Sequence, residues 1–397
     1  MSSNNHDFKR REIDTTGIEL SPDELARSPR HLSLPEVGLD GQKRLKAAAV
    51  LCVGTGGLGS SALLYLAAAG VGRLGIVDCD VVEASNLNRQ VIHGTSSLGQ
   101  AKTSSARERI YELNPNCEVD VHDVVLRSDN ALEIIGEYDI VVDGTDNFPT
   151  RYLVNDACVI LGKPNIYGSV QRFEGQASVF NLDSKSPNYR DLVPEPPPPG
   201  LIPSCAEGGV VGVLPGLIGI IQATETIKII TGVGETLSGR LLLIDALTMR
   251  FRQLVLQPNP ERTEIDHLID YDEFCGVGQP VQGQLPALKS ISAQRFRQLI
   301  DRGDDDILLI DVRNPDEAEI ASIVGSVLIP LNTIEGGEAI ERIRHLAVGR
   351  RVFVYCKLGG RSVRALSILS RHGIEGVNLE GGIDAWAKNI DPLMSSY

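Results

Sequence analysis

The sequence predicts two consecutive α/β domains, and the first is predicted to contain a doubly wound parallel sheet. The chain has 397 residues, which exceeds the usual size of a single domain. Short apolar strands alternate with helical stretches on both sides of a segment rich in Gly, Pro and Gln, residues 266–285, which we interpret as a linker. Apolar residues make up 42% of the chain and charged residues 23%, as expected for globular domains with aliphatic cores.

The first domain is predicted over residues 21–265, after a polar and flexible tail, residues 1–20. Ser21, followed by Pro, Asp and Glu, predicts a capped helix start. Three apolar segments predict strands and one predicts a helix that ends at a glycine: AAAVLCVG (47–54), RLGIVDCD (73–80), YDIVVDGTDN (138–147) and the helix SSALLYLAAAG (60–70). In such a sheet, ligands bind at the carboxyl ends of the strands.

The second, smaller α/β domain is predicted over residues 286–397. Its strands are again short and apolar, and they alternate with helical stretches: DILLIDVR (306–313), GSVLIPL (325–331), RVFVYC (351–356), GVNLEGG (376–382) and the helix SVRALSILSRHG (362–373).

Charge and cysteine content restrict the class of protein. The chain carries 38 basic and 52 acidic residues, a net charge of −14, so we expect neither a nucleic acid nor a membrane as partner. The N-terminal segment has no apolar core typical of a secretory signal. Seven scattered cysteines with no CxxC pair then indicate free thiols in a reducing, cytoplasmic setting.

A glycine-rich motif follows the first predicted strand. Residues 54–59 read GxGxxG and open a helix, so their backbone N–H groups can approach phosphates. Asp78 ends the next strand, 19 residues after Gly59, where a carboxylate can bind a ribose hydroxyl. This motif predicts nucleotide binding, but by itself it does not separate NAD, FAD and ATP.

Charged residues nearby favour ATP. Arg89 and Lys102 can neutralise phosphate charge, and Asp146, at the end of a strand, can hold Mg²⁺. A hydride-transfer site instead needs an apolar slot for a nicotinamide ring. A nicotinamide-dependent oxidoreductase with a regulatory second domain is therefore the less favoured alternative.

The second domain carries a cysteine loop, Cys356 to Arg361, between a strand and a helix. Converging backbone N–H groups and the charge of Arg361 favour a thiolate at Cys356. Four residues separate the cysteine from the arginine, whereas cysteine-dependent phosphatases have five. The tighter loop favours a persulfide over a phosphate.

Several segments of the first domain resemble the adenylyltransferases of the MoeB and ThiF family, relatives of ubiquitin-activating enzymes: GTGGLGSSALLYLAAAGVGRLGIVDCDVVEASNLNRQVIH, GQAKTSSA, DGTDN, RFEGQASVF and PSCAEGGVVG. The resemblance runs from about Leu25 to Leu256. It implies a homodimer that binds ATP and Mg²⁺ and adenylates the C-terminal glycine carboxylate of a ubiquitin-like sulfur carrier protein ending in Gly-Gly. It also implies that a set of residues surrounds ATP: Gly57, Asp78, Ser85, Asn86, Leu87, Asn88, Arg89, Lys102, Asp146, Asn147 and, from the partner subunit, Arg30.

The same resemblance bears on sulfur and zinc. Cys205 matches a loop cysteine that in the family can link to the carrier or resolve a disulfide. Family members commonly hold zinc with four cysteines, but here the first pair falls at Asn188 and Asp191, and residues 259–266 have no cysteine. We therefore predict that the chain has no structural zinc.

Three segments of the second domain resemble rhodanese domains: DILLIDVRNPDEAEI, the Cys356 loop and NLEGGIDAW. This resemblance implies that Cys356 carries a persulfide. The stretch ASIVGS (321–326) departs from the usual Gly-His-Ile-Pro-Gly-Ala of that family. The two domains together resemble enzymes of the MoeZ type. That resemblance implies that the persulfide, loaded from thiosulfate or a cysteine desulfurase, attacks the adenylate and that Cys205 assists release of a thiocarboxylate.

Two questions about function stay open at this level. The small subunit of molybdopterin synthase is the leading carrier, but carriers for cysteine, thiazole or tRNA thiolation have similar tails. A scaffold in which one domain only binds a partner is a further alternative.

Overall fold

The computed structural model describes residues 13–197, 209–276, 289–303 and 306–395. The chain divides into two compact units, with the division after Cys275. Each unit has its own sheet and its own hydrophobic core, which confirms the predicted pair of α/β domains.

Eight strands form the sheet of the first unit: β1 (Ala49–Val53), β2 (Arg73–Val77), β3 (Glu118–His122), β4 (Ile140–Asp143), β5 (Asn165–Gln171), β6 (Glu174–Phe180), β7 (Arg240–Asp245) and β8 (Arg250–Val255). Their order is β3-β2-β1-β4-β5-β6-β7-β8. The first five pair in parallel and the remaining pairs are antiparallel. Strand β1 lies between β2 and β4, with Cys52 opposite Ile76 and Val142. The strand order reverses here, which places a ligand crevice at the end of β1.

The helices of this unit cover both faces of the sheet: α1 (Pro22–Arg27), α2 (Pro29–Leu32), α3 (Gly38–Ala47), α4 (Gly57–Ala69), α5 (Lys102–Leu113), α6 (Ala131–Gly136), α7 (Phe148–Leu161), α8 (Tyr189–Leu192), α9 (Val213–Thr231) and α10 (Tyr271–Phe274). Helix α1 begins where the sequence predicts. The Ser21 hydroxyl accepts from the backbone N–H of Glu24, and the Glu24 carboxylate accepts from that of Ser21.

Helix α9 packs closely against α4 in the core of the first unit. A Cβ on Gly219 would lie 2.2 Å from the carbonyl oxygen of Leu58, so only glycine permits this approach. Among the described residues, α9 is the one helix with the length and apolar character needed to cross a membrane. Of the most apolar 18-residue stretch of this helix, 56% is buried within the first unit, as is usual for a helix in the core of a globular domain.

Two boundaries differ from the sequence expectation. The predicted tail reaches residue 20, but Ile13 is buried in the core, and Lys46 Nζ donates to the Glu19 carbonyl at 2.7 Å. The predicted linker begins at 266, yet Tyr271 is buried and donates its hydroxyl proton to Asp156 at 2.7 Å. Residues 13–20 and 266–275 thus pack with the first unit, because each segment contributes an apolar side chain to its core.

Five parallel strands form the sheet of the second unit, in the order β11-β10-β12-β13-β9: β9 (Lys289–Ile291), β10 (Ile307–Asp311), β11 (Val327–Leu328), β12 (Arg351–Tyr355) and β13 (Gly376–Leu379). Its helices follow these strands in the chain: α11 (Ala293–Asp301), α12 (Pro315–Ile320), α13 (Leu331–Glu335), α14 (Ile340–Leu346), α15 (Gly360–Arg371) and α16 (Gly382–Asn389). Trp386 packs edge-on against Phe296 in the core. The central strand, β12, leads directly into the Cys356 loop.

Candidate active sites

The glycine-rich loop, residues 54–59, joins β1 to α4 at the reversal of strand order. Gly54 has a φ of +93°, and a Cβ there would lie 2.9 Å from the carbonyl oxygen of Gly144. A Cβ on Gly59 would lie 1.9 Å from the carbonyl oxygen of Gly54. A side chain at Gly54 would separate the loop from the turn after β4, and one at Gly59 would push α4 away from the start of the loop. The glycines therefore keep the start of α4 open to a phosphate group.

Asp78, at the end of β2, is hydrogen-bonded to the glycine-rich loop. Its Oδ2 accepts from both the backbone N–H and the hydroxyl of Thr55, each at 2.8 Å. Its Oδ1 accepts from the backbone N–H of Asp80 at 3.0 Å. The carboxylate is thereby oriented at the carboxyl edge of the sheet, where the sequence expects a ribose hydroxyl.

Lys102 begins α5 and is joined to the same strand end. Its ammonium donates to Asp80 Oδ2 at 2.8 Å, and its side chain is 7% exposed while that of Asp80 is 65% exposed. Their backbones are also linked, from Lys102 N–H to the Asp80 carbonyl at 2.9 Å. A cation is thus held beside the glycine-rich loop by a carboxylate that faces solvent.

His93 connects the glycine-rich loop to α5, a contact that the sequence does not reveal. Its Nε2 donates to the carbonyl of Thr55 at 3.2 Å, so Nδ1 accepts from the Ser105 hydroxyl at 3.0 Å. Burial lowers the pKa of His93, which keeps the ring neutral. The only sequence signal was its place in the RQVIH segment, whose spacing predicts no role for it.

The segment from Ser85 to Arg89 forms a tight turn beside the start of α4. The Arg89 guanidinium donates to the Ser85 carbonyl at 2.9 Å and to Asn88 Oδ1 at 3.1 Å. A Cβ on Gly57 would lie 3.7 Å from Arg89 Cγ, so the arginine stem lies against the helix start. Asn86 is buried and its Oδ1 accepts from the backbone N–H of Glu83 at 3.1 Å. Leu87, in the same turn, is half-buried.

Asp146 and Asn147 follow β4 on the next strand end. Asp146 is exposed, and Asn147 caps α7 by accepting from the backbone N–H of Thr150 at 2.9 Å. Asn147 therefore has a structural role whether or not it contacts a nucleotide. Mg²⁺ bound to a nucleotide keeps several waters and needs only one or two carboxylates, so the single exposed carboxylate of Asp146 fits it. Among the described residues, no group of three or more His, Cys, Asp or Glu can hold a metal by itself.

Two buried charges that the sequence did not single out fix the turn that presents Asp146. Asp143 accepts from the backbone N–H and the hydroxyl of Thr145, at 3.0 and 2.6 Å. Arg151 donates to the carbonyls of Thr145 and Gly168 at 3.0 and 3.2 Å. Burial raises the pKa of Asp143, while the nearby charge of Arg151 opposes that rise. Both side chains therefore stabilise the backbone around this turn.

Arg30 is predicted to reach the nucleotide site from the partner subunit. It lies exposed on α2, and within the described part of this single chain it makes no hydrogen bond or ion pair with the glycine-rich loop. Cys205, the predicted second sulfur residue, lies outside the described residues.

The two places where the family resemblance puts zinc cysteines are in direct contact. The Asp191 side chain is fully buried and accepts from Arg262 Nη1 and from the backbone N–H groups of Asn188 and Asn259, all at 2.8 Å. Hydrogen bonds and one ion pair thus join α8 to residues 259–262.

In the second unit, Cys356 lies at the carboxyl end of β12 and only 1% of it is exposed. Its Sγ accepts from the backbone N–H of Gly359 at 3.0 Å, and Gly359 has a φ of +117°. A Cβ on Gly382 would lie 2.3 Å from the Cys356 carbonyl oxygen, so the Gly-Gly turn after β13 closes against the loop. Ile383 N–H donates to that carbonyl at 2.9 Å. The loop is therefore a narrow cradle around one sulfur atom.

Arg361, which follows this loop at the start of α15, is paired with a carboxylate. Its two terminal nitrogens donate to both carboxylate oxygens of Glu317, on α12, at 2.6 and 2.7 Å. Arg313 in turn holds α12 by donating to the carbonyls of Glu317 and Ala321, at 3.3 and 2.8 Å. Arg313 itself is fully buried and paired with Asp311. The positive charge of Arg361, which the sequence predicts to favour a Cys356 thiolate, therefore also interacts with the Glu317 carboxylate.

The unusual stretch at 321–326 is anchored from β12. The Tyr355 hydroxyl accepts from the backbone N–H of Ile323 at 3.2 Å and lies 3.0 Å from the Ser326 hydroxyl. It donates to Asp311 at 2.9 Å. These contacts hold the stretch without the family's usual histidine and proline.

The fold and both sites define a class of protein: a nucleotide-binding α/β domain joined to a domain that presents a cysteine in a tight anion-binding loop. The ThiF family model matches residues 29–264, and the rhodanese-like domain model matches residues 292–389. The chain belongs to the ThiF family and carries a C-terminal rhodanese-like domain.

Relatives share both domains. The chain is 50% identical to the probable adenylyltransferase/sulfurtransferase MoeZ of Mycobacterium tuberculosis, over 95% of this chain and 96% of the relative. It is 41% identical to the adenylyltransferase and sulfurtransferase MOCS3 of Mus musculus, over 95% and 88%. The crystal structure of E. coli MccB shares the fold, with a TM-score of 0.55 and 19% identity over 64% of this chain and 74% of that chain. The chain is thus an enzyme, an adenylyltransferase and sulfurtransferase of a family that uses ATP.

Proposed function

We propose that the first unit uses Mg·ATP to adenylate the C-terminal glycine carboxylate of a ubiquitin-like sulfur carrier protein. The carboxylate attacks the α-phosphorus, pyrophosphate leaves, and an acyl adenylate forms. Arg89 and Lys102 neutralise phosphate charge, Asp146 holds Mg²⁺, and Asp78 binds the ribose. The backbone of the glycine-rich loop, with Gly57 at the start of α4, receives the phosphates, and Ser85 to Asn88 and Asn147 line the site.

The second unit then supplies sulfur. The outer sulfur of a Cys356 persulfide attacks the acyl carbon and AMP leaves, which gives an acyl disulfide. The Cys205 thiolate attacks Cys356 Sγ, so that the carrier thiocarboxylate is released and a Cys205–Cys356 disulfide remains. An external thiol reduces that disulfide, and thiosulfate or a cysteine desulfurase reloads Cys356. Linking both units in one chain raises the effective concentration of the second reagent.

The observation that carries this proposal is the presence, in one chain, of both binding elements. A glycine-rich loop lies beside Lys102 and Asp78 in the first unit, and a sulfur accepts the Gly359 N–H in the second. The small subunit of molybdopterin synthase is our first choice of carrier, which places the enzyme in molybdenum cofactor biosynthesis.

We further propose a cytoplasmic homodimer in which the partner subunit contributes its Arg30 to the nucleotide site. The exposed position of Arg30 on α2 supports this, because the residue is free to meet another copy. Within the described part of the chain, Cys52, Cys79, Cys117, Cys275 and Cys356 are free thiols, which suits a reducing compartment.

Two variants test whether the first unit catalyses adenylation and the second unit catalyses sulfur transfer. Cys356→Ser is expected to keep carrier-dependent ATP–pyrophosphate exchange and to lose sulfur transfer. Asp146→Asn is expected to lose the exchange and to keep thiosulfate-dependent loading of Cys356. If both variants lost both activities while remaining folded, the assignment of separate steps to separate units would be wrong.

A further inference from the structure

Ser362, in the first turn of α15, lies beneath the Cys356 loop and is fully buried. Its hydroxyl has three acceptors within reach. They are the Asn378 Oδ1 at 2.7 Å, the Gly359 carbonyl at 2.8 Å and the Cys356 Sγ at 3.6 Å. A hydroxyl carries one proton, so it donates to only one of the three at a time.

The protonation state of the sulfur decides which acceptor prevails. A neutral thiol is a weak acceptor, so the two oxygens compete successfully for the Ser362 proton. A thiolate carries a full charge, and hydrogen bonds to charged groups are about twice as strong as neutral ones. Loss of the Cys356 proton to solvent therefore draws the hydroxyl toward the sulfur, where the Gly359 N–H already donates at 3.0 Å.

Asn378 lies on β13 and is itself buried. Rotation of its amide by 180° places an N–H donor, in place of Oδ1, against the Ser362 oxygen. That donor occupies the oxygen while the hydroxyl proton points at the sulfur. Asn378 thus acts on the sulfur through Ser362, which makes it a positioning residue.

We propose that Ser362 is a further catalytic residue of the sulfurtransferase unit, donating a hydrogen bond to Cys356 Sγ in the thiolate, with Asn378 orienting its hydroxyl. The Ser362 proton stays on its oxygen throughout, so no bond to it forms or breaks. The same donor faces the inner sulfur once the outer sulfur is attached. This inference rests on the proposed role of Cys356 as the sulfur carrier.

The test is the rate of Cys356 alkylation by iodoacetamide in the full chain, followed across pH by mass spectrometry of the Cys356 peptide. Below the midpoint of the pH profile, Ser362→Ala is expected to slow alkylation about tenfold, the size of one hydrogen bond to a charged group. Asn378→Ala is expected to slow it about threefold, because the donor remains but is less well oriented. Ser362→Thr keeps the hydroxyl and is expected to stay near the unchanged rate.

Ser367→Ala is the matched control. Ser367 lies on the same helix, and its hydroxyl donates to the Val363 carbonyl at 3.0 Å, away from the sulfur. A pH midpoint in Ser362→Ala equal to that of the control would overturn the proposal, as would equal losses in Ser362→Ala and Ser362→Thr. If Ser362→Ala does not fold, an unshifted profile in Asn378→Ala overturns it. Failure of the proposed function would give a different result, because sulfur transfer would then survive in Cys356→Ser.

Discussion

The carboxylate of Glu317 accepts hydrogen bonds from both terminal nitrogens of Arg361, at 2.6 and 2.7 Å. The two side chains are 18% and 17% exposed, so solvent screens this pair only in part. The pair joins α12 to the first turn of α15, next to the Cys356 loop. The positive charge available to a thiolate in that loop is therefore set by Glu317 as well as by Arg361.

Removing the negative charge of Glu317 is expected to make Cys356 more reactive. Glu317→Gln keeps the side-chain shape but removes a negative charge beside Arg361, which favours the thiolate. We expect alkylation of Cys356 at about neutral pH to accelerate roughly threefold, with the gain shrinking as salt is added. Glu319→Gln, an exposed site on the same helix, is the control. Slower alkylation in Glu317→Gln would mean that Glu317 acts chiefly by positioning Arg361.

Lys102 is expected to matter more than the carboxylate that holds it. Lys102→Met removes the cation placed beside the glycine-rich loop, and we expect ATP–pyrophosphate exchange to fall by about 100-fold or more. Asp80→Asn removes only a partner that is largely exposed, so its effect should stay within about tenfold. Lys185→Met, at an exposed position of the same unit, is expected to leave exchange unchanged. Equal losses in the Lys102 and Asp80 variants would contradict this ranking.

His93 gives the first unit a pH-dependent stability. Because burial lowers its pKa in the folded state, the unfolded chain binds the proton more readily. The stability that His93 contributes is therefore complete above about pH 6.5, the ordinary value for histidine, and declines as the pH falls below it. Thermal unfolding measured between about pH 8 and pH 5.5 should show a smaller decline for His93→Gln. The exposed His372→Gln serves as control, and parallel curves for all three proteins would exclude the effect.

Asp191 is expected to be a major source of stability where the family resemblance places zinc ligands. Asp191→Ala removes a fully buried carboxylate that pairs with Arg262 and accepts from the backbone N–H groups of Asn188 and Asn259, so we expect a loss of about 3 kcal/mol in the free energy of unfolding. Arg297→Ala, which breaks an exposed pair with Asp301, should cost less than about 0.5 kcal/mol. Denaturant titration distinguishes these values. Similar small losses in both variants would show that the buried contacts contribute little.

The sequence was most informative where the chemistry is local in the chain. The glycine-rich loop, Asp78, Lys102 and the Cys356 loop are recognisable because fixed spacings bind a phosphate or cradle a sulfur. The positions of the glycine-rich loop, Asp78 and Cys356 at strand ends follow from the alternation of strands and helices.

The contacts that escaped prediction join residues far apart in the chain. His93 meets Thr55 across 38 residues, Glu317 meets Arg361 across 44, and Tyr271 meets Asp156 across 115. No local period marks such pairs, because only the folded sheet brings them together. The predicted start of the linker, at residue 266, differs from the structure for the same reason, since the hydroxyl of buried Tyr271 bonds to a distant carboxylate.

In the proposed function, one chain activates a carrier carboxylate and replaces one of its oxygens with sulfur. The most direct measurement incubates the full chain with ATP, Mg²⁺, thiosulfate, a thiol reductant and the small subunit of molybdopterin synthase, and then determines the mass of that carrier. We predict the mass gain of one oxygen-to-sulfur exchange, dependent on ATP and lost in both Cys356→Ser and Asp146→Asn. Exchange at the full rate in Cys356→Ser, or no exchange in any carrier that ends in Gly-Gly, would contradict the claim.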